Sequence, residues 1–257
     1  MSESPPRAAS LGLGQQRWPR VTPHQPLLLV PVGSVEQHGP HLPLATDAMI
    51  ANAVTRTAAE RLDAAGTPVL VAPSLNYGAS GEHEGFPGTV SIGHEALFLV
   101  LVELARSACR WASGVVFVNG HGGNTATLTK VVELLRYEDR AVAWTSTALP
   151  DADAHAGDTE TSLLRFLAPW AVRVDLMAPG ATEPVAELMP RLRADGVRAV
   201  SANGVLGDPT TSSAERGREL FERLVRNLVA ELTALDVAGN GRLGGARQSL
   251  AAPVRTP

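Results

Sequence analysis

Apolar residues along this chain fall into two alternating patterns. Short continuous runs at 27–32, 68–72, 115–118 and 141–145 have the length of buried strands. Between them lie longer segments with apolar residues at helical spacing: 48–65, 95–111, 125–137, 159–167 and 213–235. In 95–111 the stripe is Leu97, Leu101, Leu104 and Ala108. Thr46 or Asp47 stands where a cap for the first helix is needed. Residues 199–201 read as one more short strand. Strands that alternate with helices need crossover connections. The pattern therefore predicts a three-layer α/β/α fold with a mainly parallel central sheet, as a single domain over 21–237. Residues 1–20 and 238–257 show no periodicity and are rich in Ala, Gly, Pro, Ser and Arg, so they are expected to be flexible tails. Ligands of such sheets bind beyond the carboxyl ends of the strands, which directs attention to the loops after Val32, Ala72, Val118 and Thr145.

Composition narrows the function. The chain has 257 residues, 44% apolar and 19% charged, which is the balance of a globular protein. No apolar run approaches the roughly 18 residues of a membrane helix, and the start lacks the pattern of a signal peptide. A net charge of −4 without a basic block argues against nucleic acid as a partner. The single cysteine, Cys109, allows no intrachain disulfide and fits a reducing, cytoplasmic setting. It lies in the apolar 95–111 segment and reads as an inert core residue. Lys130, the lone lysine, has no glycine-rich loop before it, which excludes a Walker A phosphate site. No Gly-x-Ser-x-Gly elbow is present, which disfavours a serine hydrolase.

Most of the seven histidines fall in loops that follow strands. Glu36, His38, His41 and Asp47 share a segment stiffened by Pro40 and Pro43. A carboxylate, an imidazole and a second carboxylate so close together make a good set of ligands for a divalent ion. Asn119-Gly-His121-Gly-Gly-Asn124 follows the 115–118 strand; it lacks the spacing of a dinucleotide fingerprint, and His121 is the better metal ligand candidate. His155 and Glu160 lie in an acidic stretch before a helix, where Glu160 also suits the helix dipole. Residues 78–89 form a glycine-rich loop with Glu82 and His83, a candidate lid. A metal-free phosphate- or nucleotide-binding module using the 119–124 turn remains an alternative, and chelation would distinguish it.

Taken in order, these motifs resemble the creatininase (creatinine amidohydrolase) family. The matching pieces are Gly33-Ser-Val-Glu36-Gln-His38-Gly-Pro-His41-Leu-Pro, Asp47, Phe86-Pro-Gly-Thr89, Asn119-Gly-His121-Gly-Gly-Asn124 and His155-Ala-Gly-Asp-Thr-Glu160-Thr-Ser. The resemblance spans about residues 27–235. It implies a three-layer α/β fold, two divalent metal ions per subunit (Zn, Fe(II) or Mn), amide hydrolysis and a homo-oligomer, often a hexamer. Carried over by motif, it implies that Glu36, Asp47 and His121 hold one ion and His38, Asp47 and Glu160 the other, with Asp47 bridging. It implies His155 as the proton-transferring residue. Glu82, His83, Asn119 and Asn124 are assigned more loosely to substrate or lid. One departure stands out: creatininase has a Glu two residues after the histidine of the third motif, where this chain has Gly123, which would enlarge the cavity there. The short 151–160 connection and the 196–209 segment are most similar to the family branch of peptidases that trim the mycofactocin precursor peptide near its C terminus, releasing a fragment derived from Val-Tyr. Hydrolysis of a small cyclic or formyl amide, such as creatinine or a formamidopyrimidine, is the alternative within the family.

Overall fold

The computed structural model describes residues 11–21, 25–150 and 152–244. Four strands, β1 (Leu27–Val32), β2 (Val69–Val71), β3 (Gly114–Asn119) and β4 (Val142–Ser146), form one sheet in the order β2-β1-β3-β4. All three pairings are parallel, with Leu27 opposite both Val69 and Gly114 and Val115 opposite Val142. The connections carry α1 (Thr46–Ala64), α2 (Gly93–Ala108) and α3 (Thr125–Tyr137); α4 (Asp158–Leu167), α5 (Val185–Asp195) and α6 (Ala214–Ala234) follow β4.

Because side chains alternate across a strand, the two faces of the sheet build two separate cores. Leu27, Leu29, Val116, Val118 and Ala143 pack on α1, α4 and α6. Leu28, Val30, Val115, Phe117 and Val142 pack on α2 and α3. The sequence expectation of one α/β/α domain is met. Pro31 sits within a central strand at little cost. Pairing with β2 ends at Leu29 and Val71, so the donor that Pro31 lacks faces past the end of that strand.

Parts of the expected tails are structured. The backbone of Leu11 accepts the N–H of Val71, Gly12 bridges to the same residue, and Leu11 is buried. At the opposite edge, Trp144 donates to Gly241, Leu243 donates back to Trp144, and Leu243 is buried. Residues 11–12 and 241–243 thus each lie along an open edge of the sheet, where unpaired N–H and C=O groups would otherwise face water. Residues 1–10 and 245–257 lie outside the described residues.

Several local expectations change. The cap of α1 is Ala45, with no side-chain cap; Thr46 and Asp47 lie in the first turn, and Thr46 donates to Pro43 O at 2.7 Å. Residues 199–201 are not a strand: Val197–Val200 is a single helical turn. Helix α5 has no counterpart in the sequence reading, because Pro190 interrupts its pattern. It contributes to a third, small apolar cluster of Leu188, Val197 and Leu206, which roofs the carboxyl ends of the strands.

Candidate metal centre

Six segments converge beyond the strand ends. The β1–α1 loop brings Glu36, Gln37 and His38; Asp47 comes from the first turn of α1. The turn after β3 brings His121, the 81–83 turn brings Glu82 and His83, and His155 precedes α4, whose first turn carries Glu160. Glu36, His38, Asp47, His83, His121 and His155 are all buried.

Three groupings bring ligand atoms within 4.8 Å of one another: Glu36–Asp47–His121, His38–Asp47–Glu160 and Glu36–His38–His155. The first two share Asp47. His121 Nδ1 lies 3.2 Å from Glu36 Oε1 and 3.4 Å from Asp47 Oδ2. His38 Nε2 lies 3.1 Å from Asp47 Oδ1 and 3.8 Å from Glu160 Oε2.

The chemistry of these donors fits cations. Both carboxylate oxygens of Glu36 and Oδ2 of Asp47 are buried without a hydrogen-bond donor, an arrangement that is costly unless a cation answers it. The imidazoles are also set as ligands are. His38 Nδ1 donates to Glu36 O at 3.1 Å, and His121 Nε2 donates to Ala79 O at 3.1 Å. In each case a backbone carbonyl holds one nitrogen and the other faces the carboxylates.

With protein groups alone, protons balance the charge. Burial alone would pull the His38 pKa down, but Asp47, Glu160 and Glu36 more than reverse this and hold it at about 10. Burial likewise opposes the charged form of His121, yet Glu36, Asp47 and Glu82 hold its pKa well above the usual imidazole value. Burial and Asp47 push Glu160 up to about 7 against the pull of His38. Burial, aided by His38 and His83, holds His155 well below its ordinary value, so it is neutral.

Other expected residues have different surroundings. Asn119 Nδ2 donates to His121 O at 2.6 Å, and Asn124 bridges Ala79 N at 2.9 Å and Gly33 O at 3.0 Å. Both amides brace the loop, and neither lines the cavity. The space beside Gly123 is also not open. A Cβ there would lie 2.7 Å from Glu82 Oε1, so the Glu82 carboxylate takes the place that the departure from creatininase would have enlarged. His83 lies buried, with Nε2 3.3 Å from Glu36 Oε1. Gln37, which carried no role in the sequence reading, touches both His83 and His155.

Above this floor is a cavity of about 1300 Å³, roofed by α5 and the 196–206 segment through Met189, Leu192, Val197 and Leu206. Compact ligand pockets usually enclose about 300–1,000 Å³, so this one is large enough for an extended chain.

Comparison with known proteins agrees with the geometry. The family model described as creatinine amidohydrolase matches residues 15–232. The chain is 53% identical over 233 residues to the mycofactocin precursor peptide peptidase of Mycolicibacterium smegmatis, covering 90% of this chain and 94% of that protein. Among solved structures it is similar to a Zn–Zn form of a creatininase variant and to a manganese creatininase, each with TM-score 0.73 and 28% identity. The likeness covers 87% of this chain and 97% and 98% of theirs. With its parallel sheet, its clustered carboxylates and imidazoles and these matches, the chain belongs to the creatininase family of amide hydrolases.

Proposed function

We propose that this chain is a metal-dependent peptidase that cuts the modified mycofactocin precursor peptide near its C terminus and frees a Val-Tyr-derived fragment. The observation that carries this is the cavity of about 1300 Å³ over the carboxylate–imidazole floor, in a chain 53% identical to a protein named for that activity. A creatinine-sized amide would fill a small part of it.

Two divalent ions, of Zn, Mn or Fe(II), fit the donors: one at Glu36, Asp47 and His121, the other at His38, Asp47 and Glu160. Asp47 serves both because its two oxygens face different imidazoles. When bound, such ions acidify a water and polarise the scissile carbonyl. The protein supplies the proton path. His155 Nε2 donates to Gln37 O at 2.8 Å, which leaves Nδ1 as a neutral acceptor 3.8 Å from Glu36 Oε1. There it takes the proton of the attacking water and returns it to the leaving amine, a role worth about 10²–10⁴-fold in rate. The homo-oligomer implied by the family and the cytoplasmic setting suggested by the single cysteine belong to the same proposal. Exposed Trp170, Val174 and Leu176 on one stretch support an apolar contact there.

The test is incubation of protein loaded with Zn, Mn or Fe(II) with the modified precursor peptide, followed by mass spectrometry, with chelated and creatinine arms. Release of a C-terminal fragment that stops on chelation supports the reading. An intact peptide with turnover of a small amide replaces it.

A further inference from the structure

The four imidazoles around Glu36 and Asp47 are not equivalent. His38, His121 and His155 each donate one N–H to a backbone carbonyl, of Glu36, Ala79 and Gln37 respectively. Their second nitrogens are therefore free to present a lone pair. His83 is held the opposite way. Its Nδ1 lies 2.9 Å from Gln37 Nε2, an amide nitrogen that can only donate. The orientation of that amide is fixed independently, because Gln37 Oε1 accepts the N–H of Gly39 at 2.9 Å. The second Gln37 N–H has Gly204 O at 3.1 Å. His155 Nε2, also 3.0 Å from Gln37 Nε2, already points its proton at Gln37 O. Every polar atom of the Gln37 amide is thus satisfied in one arrangement.

We infer that Gln37 is a positioning residue that fixes His83 as its Nε2–H tautomer, so that His83 turns a protonated nitrogen toward Glu36 where its neighbours turn lone pairs. His83 Nε2 is 3.3 Å from Glu36 Oε1, and the His83 and His155 rings stand 4.5 Å apart. One oxygen of Glu36 therefore lies near both the Nε2 of His83 and the bare Nδ1 of His155, which is 3.8 Å away. A protonated Nε2 has no lone pair to give a cation, which excludes His83 from the ligand set. The 196–209 segment takes part in this. Gly204 lies against the amide, where a Cβ would come within 1.9 Å of Gln37 Oε1, and Leu206 exchanges both backbone hydrogen bonds with His155.

The inference rests on the metal-site reading but not on the peptide substrate, since it is read from ring nitrogens. Long-range ¹⁵N–¹H spectra of zinc-loaded, ¹⁵N-histidine protein, assigned by single His→Gln variants, report each tautomer. The wild-type protein is expected to show His83 and His155 both protonated at Nε2 alone. Gln37→Glu keeps the shape but replaces the donor by an acceptor, and is expected to put a proton on His83 Nδ1. Gln37→Met is expected to leave His83 divided between tautomers, with zinc content retained and kcat lowered more than KM is changed. A wild-type His83 protonated at Nδ1, or an Nε2–H His83 unaltered in both variants, would overturn the inference. Neither result depends on whether the peptide is cut.

Discussion

Replacing Gly123 by alanine probes the metal centre through a single methyl group. A Cβ at that position would stand 2.3 Å from His121 Nε2, 2.5 Å from Ala79 O and 2.7 Å from Glu82 Oε1. Ordinary carbon contacts begin at about 3.5 Å, so something must retreat by roughly 1 Å. Ala79 O is backbone and accepts the His121 proton, so the imidazole has to tilt off its acceptor while Glu82 swings away. Metal–ligand distances tolerate only about ±0.2 Å, and losing the partner that orients a ligand histidine typically costs about 10–100-fold in affinity. A displacement of about 1 Å near the reacting groups costs about 10²-fold in rate, or roughly 2.7 kcal/mol. Gly122 gives the control, because a Cβ there meets nothing within 4 Å. The assay is competition for zinc against a chromophoric chelator, with kcat/KM on the same preparations. Gly123→Ala is expected to bind at least one ion about 10–100-fold more weakly and to lose about 10²-fold in turnover, while Gly122→Ala stays near wild type. If the two variants behave alike, His121 is not held by Ala79 O in the way the geometry requires.

Asp47→Ala is expected to remove both ions, since its two oxygens serve both positions; elemental analysis showing full occupancy would refute the bridge. His155→Ala is expected to keep its metal and lose about 10²–10⁴-fold in kcat, and normal turnover would take His155 out of the mechanism. Metal affinity is expected to rise with pH. His38, with a pKa held at about 10, must lose a proton for its Nε2 to bind a cation, and His121 adds a second proton. Affinity should then fall up to about tenfold per proton for each pH unit lost, more steeply below about 7, where Glu160 is also protonated. Calorimetry in buffers of different ionisation enthalpy counts the protons released, and a flat profile would contradict the charge balance. Phe117→Ala removes a fully buried ring from the β3 face packed on α2 and α3, and is expected to cost about 3–5 kcal/mol by urea unfolding.

Much of the architecture was legible because alternation and helical spacing report burial directly. Helix α3 has the bounds read from its stripe, and each strand lies within about a residue of its apolar run. What escaped depends on partners remote in sequence. Leu11 and Leu243 pair with sheet edges through one or two residues each, too few to leave a period. Pro190 hid α5 by breaking the pattern of an otherwise ordinary helix. In the site, Glu36, His38, Asp47, His121 and Glu160 stood out because each residue type is a metal ligand in its own right. Gln37 did not, since a glutamine acquires meaning only from what lies against it. Its partners His83 and His155 are 46 and 118 residues away. Asn119 and Asn124 have backbone partners that their place in a glycine-rich turn does not reveal.

The roof of the cavity has a mechanical consequence. Its buried apolar cluster consists of Leu188, Val197 and Leu206, separate from the two cores that clamp the sheet. Three such side chains hold far less free energy than either core, so this part of the molecule can breathe while the strands and the ligand-bearing loops stay folded. Under the proposed function, a modified peptide end has to enter this chamber. Admission and chemistry are thereby assigned to different parts of the chain: a weakly held cover that yields to the substrate, and a rigid floor that never has to reassemble. The rate at which the cover lifts then sets a ceiling on turnover that is independent of how well the floor performs.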